Sequence, residues 1–128
     1  MNAPTPRPDS TEPLQLDAQA LARLHELDPD GRHGVVVRVM KTFDASLVTL
    51  MAQMAEARDR GDTQALGELA HKLRSSSAAI GALALSALCG DVERQVRNGE
   101  TAGLLPRVEN LLSEAERARV AVRAMLRT

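Results

Sequence analysis

Apolar residues recur at alternating spacings of three and four along most of the chain, the period of a helix face turned toward a core. Val36, Met40, Phe43, Leu47, Leu50 and Met54 form the clearest such stripe and predict a long helix from about His33 to Arg60, closed by Gly61. Ahead of it, Asp17 is placed to cap a short helix carrying Leu21, Leu24 and Leu27, which ends at the turn Asp28, Pro29, Asp30, Gly31. Behind it, Asp62 caps a third helix reaching about Ile80, with Leu66, Leu69, Leu73 and Ile80 inward, and Gly81 breaks the run. Leu85, Leu88, Cys89, Val92 and Val96 share one face of a fourth helix that stops at Asn98, Gly99 and Glu100. The last helix runs to about Met125 with Leu104, Leu105, Val108, Leu111, Leu112, Ala115 and Val122 inward. Pro106 lies too deep for its first position, so either the first turn is loose or the helix begins near Leu105. No strand pattern and no internal repeat occurs. The fold class expected is all-α: an antiparallel up-and-down four-helix bundle preceded by a short N-terminal helix.

Composition sharpens this picture. The 128 residues suit one domain, and 44% of them are apolar, yet there is one Phe and no Trp or Tyr. The core must therefore come from Leu, Val, Ile, Met and Ala, a helical recipe. Residues 1–13 hold four of the six prolines and almost no apolar side chain, so a disordered tail is expected there, with the domain over 14–128. Sixteen basic and 17 acidic residues leave a net charge of -1, without a block of like charge that reads as a nucleic-acid or membrane arm. The N-terminus lacks a signal pattern, and the longest apolar run, near Ala78 to Cys89, is short and interrupted. A soluble, cytoplasmic protein is expected. Cys89 has no second cysteine to pair with, and its helical neighbours Leu85, Leu88 and Val92 mark it as a small core residue.

One residue breaks the blandness of the third helix. At roughly 100° per residue, His71 lies about half a turn from the centre of the arc defined by Leu66, Leu69, Leu73 and Ile80, so it faces solvent. Its helical neighbours are Gln64, Glu68, Arg74, Ser75 and Ala78: polar behind, short ahead. A bulky partner can reach such an imidazole, whereas Leu or Phe at positions 75 and 78 would wall it off.

An exposed histidine can also be an ordinary surface residue; its chemical uses are base, metal ligand or nucleophile, and each needs different company. A triad requires a nucleophile across a pocket, but the adjacent Ser75, Ser76 and Ser77 are on the same helix, with Ser76 and Ser77 expected toward the core. Glu68 and His71 match the Glu-x-x-His spacing of di-iron bundles in one copy only, so no metal site is expected. A group-carrying nucleophile needs an exposed neutral nitrogen and a nearby cation, which Arg74 or Lys72 supplies. There is no Gly-rich phosphate cradle and no acidic cluster for magnesium. Three alternatives remain at this point: a helical interaction module without phosphoryl chemistry, a small metal-binding bundle, and a hydrolase.

The stretch resembles a histidine-containing phosphotransfer domain, the intermediate carrier of multistep phosphorelays. Along the family pattern this sequence gives Ala70, His71, Leu73, Arg74, Ser75 and Ser76, then Ile80, Gly81 and Ala82, then Leu85, Cys89, Val92 and Glu93. The resemblance covers roughly residues 14 to 126. It implies that His71 is phosphorylated by a receiver-domain aspartate of a hybrid sensor kinase and passes the group to or from a response regulator. The protein would be no enzyme, a stand-alone carrier without its own ATP site. It would be a monomer that contacts neither nucleic acid nor membrane and owns no cofactor, with Mg²⁺ on the partner receiver. Arg74 stands for the usual lysine and Ser75 for the usual glycine, which implies slower or more selective transfer. Supporting roles fall to Arg74 and Lys72 for phosphate charge and to Gln64 and Glu68 for polar contacts or ring orientation. Ala78, Ala79, Arg94 and Arg97 are candidates for docking.

Overall fold

Short acidic side chains mark the starts of the first three helices. A computed structural model describes residues 14–127; the tail expected over residues 1–13 lies outside them. The helices are α1 (Ala18–Glu26), α2 (Val35–Arg60), α3 (Thr63–Ala79), α4 (Leu83–Arg97) and α5 (Leu104–Leu126), with no strand among the described residues. Asp17 accepts the Ala20 N–H at 3.0 Å and Asp62 accepts the Ala65 N–H at 3.1 Å, each satisfying a first-turn donor that the helix itself cannot. α2 starts after Gly34, which has no side chain to offer. Asp28 takes over from the preceding turn, accepting the N–H groups of His33 at 3.1 Å and Val35 at 3.2 Å. That arrangement holds His33 outside the helix, which begins at Val35, two residues after the expected start. Pro106 is the third residue of α5. Its missing N–H falls among those with no intrahelical acceptor, so the helix begins at Leu104 without losing a bond.

Each long helix packs on the next, and α5 returns to α2, while α1 lies across α2 and α3. The ion pairs Asp44–Arg123 and Arg58–Glu109 show that α2 and α5 run in opposite directions. Met40, Leu47, Met54, Leu66, Leu73, Leu85, Val92, Val108 and Leu111 are buried between them, together with Cys89. No helix among the described residues is long and apolar enough to cross a membrane.

Three side chains differ from expectation, the first being Leu27, which caps the end of α1 and is 66% exposed. Ser77 is buried and satisfies its hydroxyl by donating to the Leu73 carbonyl at 2.7 Å, but Ser76 is exposed: one step of 100° carries it out of the arc that Leu73 and Ile80 define. Leu105 is 52% exposed because Leu104, Val108 and Leu111 occupy the inward positions of α5.

The turn between α3 and α4 is tied down from outside. Gly81 has φ +90°, and a Cβ there would lie 2.6 Å from the Asp17 backbone nitrogen. That nitrogen donates to the Gly81 carbonyl at 2.9 Å, which joins the start of α1 to the turn that orients α3 against α4.

Candidate functional site

α3 and α4 fold back on one another about Gly81 and Ala82, so residues at equal distances from the turn meet. His71 and Glu93 lie eleven residues on either side of Ala82. The Glu93 Oε1 atom is 2.7 Å from His71 Nδ1. The histidine side chain is 65% exposed and the carboxylate 16% exposed, so the carboxylate is held in the seam and the ring stands above it. A carboxylate can only accept; in the neutral ring, Nδ1 therefore carries the proton and Nε2 keeps its lone pair. Arg74 places Nη1 2.9 Å from the other carboxylate oxygen, as an ion pair without the alignment of a hydrogen bond. His71, Glu93 and Arg74 thus form one connected set.

Cys89 sits below this set, fully buried on α4. Burial pushes its thiol up to about 12; the Glu93 charge adds to the shift and Arg74 offsets part of it. The thiolate is absent at neutral pH, and Cys89 acts as a small apolar side chain.

A groove of about 540 Å³ runs beside the ring between α3 and α4. His71, Glu93, Lys72 and Arg97 line it, with Gln64 and Glu68. Gln64 donates to Glu68 at 3.4 Å, so these two engage each other, and the group that orients the ring is Glu93. Lys72 is exposed, as is Arg97, and neither has an ion-pair partner among the described residues. Arg94 pairs with Asp91 at 2.9 Å. Ser75 is exposed and makes no hydrogen bond among the described residues. A second groove, of about 340 Å³ and mostly apolar, lies between α2 and α3; Val39, Phe43, Ala79 and Ile80 line it, with Arg38. Ala78 is half-buried and Ala79 is exposed. No group of three or more His, Cys, Asp or Glu side chains suited to a metal ion occurs among the described residues.

Glu93 is the site residue that helical periodicity did not single out. It lies 22 positions from His71, and only the register of the α3–α4 hairpin joins them. Counting equal steps from Ala82, just past the break at Gly81, would have found it.

An exposed histidine with one nitrogen tied and the other unengaged, on an all-helical frame, is the arrangement of a group carrier. A family model, the Hpt domain, matches residues 38–126, and the chain belongs to that family. Its members are histidine phosphotransfer carriers of phosphorelays, and so is this chain. The crystal structure of histidine-containing phosphotransfer protein B from Pseudomonas aeruginosa PAO1 is similar over 88% of this chain and 94% of that one, with 27% identity and a TM-score of 0.76. No curated protein matches the chain.

Proposed function

We propose that His71 is the carrier residue and that Nε2 is its reacting atom. The observation that supports this most directly is the 2.7 Å contact between Glu93 and Nδ1, which leaves the Nε2 lone pair available on an exposed ring. In the transfer, that lone pair attacks the phosphorus of a receiver's aspartyl phosphate. The N–P bond forms as the P–O bond to aspartate breaks, and the aspartate leaves as carboxylate with the bonding electrons. Nδ1 keeps its proton, so positive charge develops on the ring directly against Glu93, which stabilises it. Transfer onward to a second receiver runs the same step in reverse.

On this reading the donor is the receiver of a hybrid histidine kinase and the acceptor a response regulator. The receiver contributes the acidic pocket and Mg²⁺, and the carrier needs no ATP site of its own. The apolar groove between α2 and α3, whose α3 lining starts at Ser76, five residues past the histidine, suits the apolar rim of a receiver, with Ala79 and Arg38 among its lining. The helices are read as an antiparallel up-and-down four-helix bundle behind a short N-terminal helix, working as a monomer in the cytoplasm.

The deciding experiment mixes the purified protein with a receiver domain radiolabelled through its kinase. Acid-labile, base-stable label that is lost in His71→Gln is the expected result. Label that persists in that variant, or a wild-type chain that takes none from any receiver, removes the assignment and favours a docking module without phosphoryl chemistry.

A further inference from the structure

Two arginines on the histidine's side of the α3–α4 hairpin differ in what they touch. Arg74 follows His71 by three residues, and its stem crosses α4 at Gly90, where a Cβ would come within 3.7 Å of Arg74 Cδ. Its head ends 2.9 Å from Glu93 Oε2, and Arg74 does not line the groove beside the ring. Arg97 does line it. One turn beyond Glu93 on α4, it shares that residue's face, and it has no carboxylate partner among the described residues.

Resting on the assignment of His71 as carrier, we infer that Arg74 is a positioning residue acting through Glu93, and that Arg97 is the cation that meets the phosphoryl oxygens. Charge on both sides of the groove agrees. Glu93 is neutralised by Arg74 within the seam, Glu68 is engaged by Gln64, and Lys72 and Arg97 remain as unpaired positive groups around the space a phosphoryl group would enter. Without Arg74, Glu93 would stand largely buried with an uncompensated charge, and the acceptor that holds Nδ1–H would lose its fixed position. Arg97 brings a long, planar, permanently charged donor from the opposite helix, where it can fork onto two phosphoryl oxygens without releasing the ring.

The two roles separate in one set of variants, all at exposed side chains that leave the core intact. Long-range ¹H–¹⁵N spectra report which ring nitrogen of His71 carries the proton, and labelled receiver reports transfer. Arg74→Gln should mix the tautomers and slow transfer, with Arg74→Met doing the same. Arg97→Gln should leave the nitrogen shifts of His71 at their wild-type values while slowing transfer about tenfold, and Arg97→Lys should recover most of the rate. Wild-type nitrogen shifts in both Arg74 variants, or a wild-type transfer rate in Arg97→Gln, overturn the inference while leaving His71 as carrier. A wild-type chain that takes no label on His71 overturns the carrier assignment itself, and this inference with it.

Discussion

Gly67 on α3 faces Val96 on α4 so closely that a Cβ at position 67 would lie 2.8 Å from Val96 Cγ1 and 3.1 Å from its Cβ. The contact lies one turn before His71 and one turn beyond Glu93, so it sets the helix spacing at which the carboxylate reaches the ring. Gly67→Ala should gain about 1 kcal/mol of helix propensity and lose roughly 1–3 kcal/mol to overpacking, because the β-branched Val96 cannot swing aside. A denaturant midpoint below wild type is expected, with slower labelling of His71. Adding Val96→Ala to the same chain should restore the spacing and the labelling rate.

Gly81 holds a backbone conformation that L side chains rarely adopt, against the nitrogen of Asp17. Gly81→Ala should cost about 1–3 kcal/mol through φ strain alone, and more from the clash. Because the contact joins α1 to the hairpin, limited proteolysis should cut the α1 segment before the rest of the chain. Equal protection of α1 in the variant and the wild type would show that the latch lies elsewhere.

Asp28 carries the pH dependence of the α1–α2 turn. Burial raises its pKa, but the N–H groups of Val35 and His33 and the charge of His33 outweigh that and hold it below the ordinary aspartate value. A depressed folded pKa means that the unfolded chain binds the proton more tightly. Its stabilising effect is therefore complete above the unfolded pKa and disappears as pH falls through the folded one. Asp28→Asn should lower the melting temperature at pH 7 and flatten its fall below about pH 4, the ordinary aspartate range. Parallel acid limbs for the two proteins would assign that dependence to other carboxylates.

Cys89 should resist chemistry for two reasons, its burial and a thiol pKa pushed up to about 12. A thiol reagent at about pH 8 should react only at the rate of global unfolding, and denaturant should accelerate it sharply. Prompt labelling of the native protein would mean that the seam beneath Glu93 opens on its own. Cys89→Ser places an unpartnered hydroxyl there and should cost about 1–3 kcal/mol.

Ser75 stands one turn beyond His71, exposed and without a hydrogen bond among the described residues, where the family pattern has glycine. Ser75→Gly should speed transfer from a labelled receiver by clearing the approach to the ring. Unchanged rates would show that the serine neither crowds nor assists docking.

Several features follow from the local physics of the chain alone. The three-and-four spacing of Val36 to Met54 and of Leu66 to Ile80 defines amphipathic faces, and Asp17 and Asp62 cap the helices they precede, because periodicity and caps are properties of adjacent residues. The same reasoning turns His71 outward and Cys89 inward, as they are in the folded chain. It fails at the margins of an arc, as with Ser76 and Leu105, where a single residue's rotation decides burial.

Tertiary structure alone decided who the histidine's partner is. From the sequence, the nearest candidates to orient the ring are Gln64 and Glu68 on its own helix, and the nearby cations are Arg74 and Lys72. The folded chain instead supplies Glu93 from α4 and places Arg74 behind it. The physical reason is that a helix face read by itself shows only neighbours three and four residues away. The distance between two helices, and hence which residues meet across them, depends on the absence of a side chain at Gly67 and on a turn at Gly81 that only a glycine can make.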